Sequence, residues 1–135
     1  LIERLREKFP KGILESSEHG NETLLTVEPA VLLDLCRQLN AAGFDYPADL
    51  TAVDDGKGLR VVYRIFSTSE RRYAVLSVPV ARRGGSLPSV SSVWRGAEWF
   101  EREVYDLFGV HFRGHPDLRR ILLPEDWEGH PLLKE

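Results

Sequence analysis

Apolar positions along the chain change period several times, and each change marks an element. Leu1, Ile2, Leu5 and Phe9 recur at helical spacing among charged neighbours, and Pro10 and Gly12 close that first stripe. Residues 13–18 and 23–27 are short extended runs around His19-Gly20-Asn21-Glu22, which predicts a hairpin with a four-residue loop. Pro29 suits a first helical position. Val31, Leu32, Leu35, Leu39 and Ala42 then line one helical face, which Gly43 should end in left-handed backbone.

From Phe44 to Val53 the chain reads as extended, with Pro47 marking an edge or an irregular start. Asp54-Asp55-Gly56-Lys57-Gly58 is a turn. Residues 59–66 alternate most strongly: Leu59, Val61, Tyr63 and Ile65 face one way, and Arg60, Val62, Arg64 and Phe66 the other. Residues 73–80 form a further strand after the polar loop 67–72, and short loops favour antiparallel neighbours. Residues 81–92 hold Gly84, Gly85, Pro88 and four serines, so they read as a loop, with Ser91 or Ser92 as N-cap of the next helix. In that helix Val93, Ala97, Phe100, Val104 and Leu107 recur at steps of four and three, and Gly109 stands just past its end.

Beyond Phe108 every attempt at regular structure is interrupted, by Gly109, Gly114, Pro116, Pro124, Gly129 and Pro131. Yet the segment is rich in His, Asp, Arg, Leu and Trp and lacks the composition of a floppy tail. It reads as an arm that needs a surface to lie on. The expected architecture is α+β: a two-layer domain over residues 1–108, with a mixed, mostly antiparallel sheet of about five strands and helices on one face. An irregular docking arm over residues 109–135 follows it.

Composition narrows the function classes. At 135 residues, 42% hydrophobic and 29% charged, the chain fits one globular domain. No apolar run approaches the roughly 20 residues of a membrane-spanning helix. Leu1 is not an initiator methionine, so the chain is compatible with being part of a longer product. Residues 1–93 carry 12 basic and 12 acidic side chains, so the net charge of -3 sits entirely in residues 94–135. Neither part has the basic stripe of a nucleic-acid binder, and Arg71-Arg72 and Arg82-Arg83 read as solvated loop charges. Cys36 is the only cysteine; it reads as a small buried apolar residue, and one thiolate cannot hold an iron–sulfur cluster. Gly84-Gly85 and Gly56-Lys57-Gly58 lack the spacing of a nucleotide fingerprint.

Glu98 and Arg102 stand one turn apart and can pair. Glu101, Arg102, Glu103 and Asp106 place four charges in six residues of the last helix, immediately before the arm. The run Glu101-Arg102-Glu103, two residues, Asp106-Leu107-Phe108, six residues, His115, three residues, Arg119, one residue, Ile121-Leu122 resembles the signature of the 30 kDa subunit family of respiratory complex I, the bacterial NADH:quinone oxidoreductase included. Ser92-Val93-Trp94 and Gly96-Ala97 before it agree, as do Gly114-His115-Pro116-Asp117-Leu118-Arg119-Arg120, Pro124-Glu125-Asp126 and Glu128-Gly129-His130-Pro131-Leu132 after it. The match covers about 40 residues at several fixed spacings. The family usually runs on from His-Pro-Leu into an Arg-Lys-Asp-aromatic-Pro-like run, where Leu133-Lys134-Glu135 stands here.

The resemblance implies a non-catalytic structural subunit in the hydrophilic arm of a proton-pumping NADH:quinone oxidoreductase. It would lie peripherally on the cytoplasmic face of a bacterial inner membrane and pack on the large quinone-site subunit and the iron–sulfur subunits. NADH, FMN, iron–sulfur clusters and quinone would belong to the complex, with no cofactor or metal held by this chain. The candidate partner-binding residues are Glu101, Arg102, Glu103, Asp106, Phe112, His115, Pro116, Asp117, Leu118, Arg119, Arg120, Ile121, Leu122, Pro124, Glu125, Asp126, Trp127 and His130. Phe112, Leu118, Ile121 and Trp127 are the expected apolar anchors, and Arg119 and Arg120 the expected partners of carboxylates. Glu101, Arg102, Glu103 and Asp106 are expected to hold the start of the arm, by accepting its N–H groups or pairing with its arginines. His115 before Pro116 reads as a fixed turn rather than a titrating switch. Two rivals are an equivalent subunit of a membrane-bound hydrogenase, ferredoxin–plastoquinone or F420-type oxidoreductase, and an autonomous metal-dependent hydrolase. The second would use His111, His115 and His130 with Asp117 or Asp126, against which Gly109, Gly114 and Pro116 break the helix that would align His111 with His115.

Overall fold

The computed structural model describes residues 1–54, 56–119 and 129–132. Helix α1 (Ile2–Lys8) leads into the hairpin β1 (Ile13–His19) and β2 (Glu22–Val27). The expected four-residue loop is tighter than that, because His19 and Glu22 pair and leave Gly20 and Asn21 to turn, with Gly20 at φ 60°. Pro29–Val31 forms a single 3-10 turn that runs into α2 (Leu32–Ala41). Strands β3 (Phe44–Asp54), β4 (Leu59–Ser67) and β5 (Arg72–Val80) then make an antiparallel meander.

The five strands lie in the order β1-β2-β5-β4-β3. The chain leaves β2, crosses through α2 to the far edge, and returns strand by strand until β5 lies parallel beside β2, with Leu24 opposite Val75. Leu59, Val61, Tyr63 and Ile65 of β4 are buried, whereas Arg60 is exposed and Val62, Arg64 and Phe66 are half-buried, so the helices cover one face. Leu5 of α1, Leu32, Leu35, Cys36 and Leu39 of α2, and Ala97, Val104 and Phe108 of the last helix join these strand residues in one core. Burial of that apolar surface is the main favourable term in the fold.

Two features depart from expectation, and both shape the site. Residues 81–92 contain a strand, β6 (Ser86–Pro88), which pairs in parallel with β7 (His111–Arg113), placing Leu87 opposite Phe112. The domain's core therefore extends past Gly109, since Val110 and Phe112 are buried within it. The last helix, α3 (Ala97–Phe108), starts later than expected, with Gly96 at the N-cap and no side-chain cap. Ser91 and Ser92 lie in the turn before it, where Val93 N and Trp94 N both donate to Val90 O at 3.0 Å. Trp94 anchors that turn by donating Nε1–H to Phe44 O at 2.9 Å.

Candidate functional site

The site is built on α3. Its buried stripe is Ala97, Glu101, Val104 and Phe108, rather than the stripe through Phe100 and Leu107 expected from hydrophobicity. Phe100 and Leu107 are only partly buried against the core. The stripe thus carries a carboxyl group, Glu101, at 0% exposure. Its Oε1 lies 2.6 Å from the Ser89 hydroxyl, and its Oε2 accepts the Val90 N–H at 2.8 Å. Ser89 Oγ also lies 2.8 Å from Ser91 Oγ and accepts the Ser91 N–H at 3.1 Å. Burial pushes the Glu101 carboxyl up to about 7; the two hydrogen bonds pull the other way, and the negative Glu98 adds to the rise.

His115 caps this cluster from the arm. Its side chain is 1% exposed, and its Nε2 lies 3.9 Å from Glu101 Oε1 and 2.9 Å from Glu98 O. Its Nδ1 accepts the Asp117 N–H at 2.9 Å. That network assigns the Nε2–H tautomer, with Glu98 O as acceptor. Asp117 in turn pairs with Arg119 at 3.0 Å on the surface, and Arg119 O accepts the Arg102 Nε–H at 3.2 Å. At the other end of α3, His130 Nδ1 lies 2.9 Å from Asp106 O, and Leu132 N donates to Leu107 O at 2.9 Å.

The expected site residues divide by burial. Glu101, Asp106 and Phe112 are buried among the described residues. Phe112, expected as an apolar anchor, is drawn into the core of this domain by the pairing with Leu87. Arg102 and Glu103 are half-buried, Leu118 is half-buried against the core, and Pro116, Asp117 and Arg119 are exposed. Around the start of the arm, the described contacts of these residues differ in kind. Glu101 accepts an N–H from Val90, ahead of the helix, while Arg102 and the Glu98 and Asp106 carbonyls meet the arm. Arg120, Ile121, Leu122, Pro124, Glu125, Asp126 and Trp127 lie outside the described residues. Sequence reasoning missed Ser89, whose hydroxyl completes the Glu101 site, and Trp99, which stands 56% exposed on α3 with the Arg102 guanidinium 5.6 Å from its ring centroid.

Two histidines of the hydrolase alternative stand apart along α3. His115 and His130 bond carbonyls eight residues apart on one helix, roughly 12 Å along its axis. Among the described residues, no three His, Cys, Asp or Glu side chains are arranged to share an ion. Likewise no described helix is long and apolar enough to cross a membrane.

Comparison with known proteins agrees with the motif. The family described as respiratory-chain NADH dehydrogenase, 30 Kd subunit, matches residues 25–135. The NADH-quinone oxidoreductase C-subunit of Geobacter metallireducens is 42% identical over 98% of this chain and 85% of its own length. Its counterpart in Roseiflexus sp. RS-1 is 41% identical over 100% of this chain and 81% of its own length. Among solved structures, the trypsin-resistant fragment (1-134) of Nqo5 superposes with a TM-score of 0.74 at 29% identity, covering 87% of this chain and 98% of that one. A chain of the membrane-bound sulfane sulfur reductase, an archaeal respiratory membrane complex, shares the fold with a TM-score of 0.81 at 24% identity, over 93% of this chain and 75% of that one. The chain belongs to the 30 kDa subunit family of the respiratory-chain NADH dehydrogenase.

Proposed function

We propose that this chain is a structural, non-catalytic subunit of a proton-pumping NADH:quinone oxidoreductase, docked through its arm on the large quinone-site subunit and against the iron–sulfur subunits. NADH, FMN, the clusters and quinone are then handled by companion subunits, on the cytoplasmic face of the membrane. The observation that carries this reading is the seating of the arm. It is gripped on its inner side by α3 through His115 and His130, and offers Pro116, Asp117 and Arg119 outward. Fixing an arm before docking lowers the conformational entropy lost on association. The relatives' names favour an NADH-linked complex over hydrogenase, ferredoxin or F420 counterparts.

The role is positional. Electron transfer and quinone access depend on how the redox subunits sit, and a rigid α+β block with a seated arm can hold that geometry. Half-buried Leu118 and exposed Trp99 are apolar contact points within the described residues, and Arg119 offers a planar fork to a carboxylate. Affinity capture from detergent-solubilised membranes tests the proposal. The large quinone-site subunit should be recovered with the chain; hydrogenase or F420-type input subunits in its place would assign the chain to a different complex.

A further inference from the structure

Among the described residues, the carboxyl group in the α3 stripe has no committed cation. The one ion-pair partner within reach of Glu101 there is His115, at 3.9 Å. That ring is already engaged on both sides, Nε2 toward Glu98 O and Nδ1 with the Asp117 N–H. A second proton on Nδ1 would point at the N–H it now accepts from. His115 can therefore neutralise an ionised Glu101 only by breaking the turn that carries Asp117.

The other groups around Glu101 give no relief. On α3, Glu98 is negative and Arg102 turns away to Arg119 O. From α2 and β4 come Cys36 and Tyr63, both fully buried; burial first, and the Glu101 charge next, push their protons on more firmly. The loop before α3 offers the Ser89 and Ser91 hydroxyls and the Val90 N–H. On the arm, Asp117 and Arg119 are exposed and paired with each other. A protonated Glu101, by contrast, satisfies both of its own oxygens and the two serines: its O–H donates to Ser89 Oγ, Ser89 donates to Ser91 Oγ, and the remaining oxygen accepts the Val90 N–H.

We propose that Glu101 is a positioning residue that seats the arm through its proton: with the carboxyl neutral, residues 115–119 stay on the first turns of α3, and losing that proton loosens them. The titrating group is the carboxyl on the helix, and His115 is the fixed turn that feels it. The coupling lies within this chain and does not depend on which subunit the arm meets.

Amide hydrogen exchange on the full 135-residue chain tests it, with protection corrected for intrinsic exchange at about pH 6 and about pH 8. Asp117 should lose about tenfold of its protection at the higher pH, the change expected for one unit of coupling. Core amides such as Leu76 should hold theirs. In E101Q the Asp117 protection should be flat, because the amide reproduces both hydrogen bonds of the neutral acid. Ser89→Ala removes a hydrogen bond that is stronger to the ionised carboxylate than to the neutral acid, so it should move the wild-type midpoint to higher pH. Unchanged Asp117 protection in the wild type overturns the proposal. So does a loss that persists in E101Q, or, where E101Q folds poorly, a midpoint unmoved by Ser89→Ala.

Discussion

The imidazole of His130 lies directly against the backbone of Gly109: a Cβ built there would come within 2.7 Å of His130 Cδ2. Gly109 also holds φ at 81° and donates its N–H to Tyr105 O, the left-handed close of α3. One residue thus ends the helix and makes room for residues that return some twenty positions later. Gly109→Ala should cost about 1–2 kcal/mol for the left-handed backbone, with further loss as His130 is displaced. Denaturant unfolding would register the first, and loss of protection at the Leu132 N–H, which bonds Leu107 O, the second.

Stability of the chain should fall with rising pH across neutrality. Glu101 titrates at about 7 in the folded chain, raised from 4.5. The folded state therefore binds more protons than the unfolded one between these values. The stabilisation is fully present below about 4.5 and lost as pH rises through about 7, a few kcal/mol at most. Urea midpoints at a series of pH values check this; in E101Q that downward slope should be missing.

Removing the Glu101 carboxyl altogether should be worse than neutralising it. Glu101→Ala strands the Val90 N–H and opens a cavity beneath α3. The unpaired donor alone costs about 1–3 kcal/mol. Glu101→Gln should lose much less at pH 6, and equal losses in the two variants would show that the hydrogen bonds count for little.

Trp94→Phe should destabilise by about 1–3 kcal/mol, because it leaves the buried Phe44 carbonyl without the indole donor. Thermal unfolding reads the loss. The same substitution at Trp99, which is exposed, should leave the midpoint within error.

Much of this was readable from local pattern. Leu59, Val61, Tyr63 and Ile65 declared β4 by alternation, and Gly109 declared the end of α3. What escaped was set by tertiary packing. The parallel contact of β2 and β5 joins strands some fifty residues apart, and no local period encodes it. Ser86-Leu87-Pro88 and His111-Phe112-Arg113 are too short to announce themselves as strands, and each is completed only by the other. Glu101 reads as one of the charges that hold the start of the arm, and nothing local marks it as fully buried, since carboxylates seldom are. Its burial depends on Ser89 and the Val90 N–H, whose approach follows from the turn at Trp94. The motif from Glu101 to Ile121 identified the family, while the assignment of inward and outward side chains needed coordinates.

The docking role is tested most directly by capture with a chain that ends at Arg119. Such a chain keeps Phe112, His115 and the α3 contacts of the first half of the arm. Retention of the far-ultraviolet circular dichroism of the full chain, together with loss of the large quinone-site subunit from the captured material, is the result expected here. Undiminished recovery of that subunit by the shortened chain would contradict it.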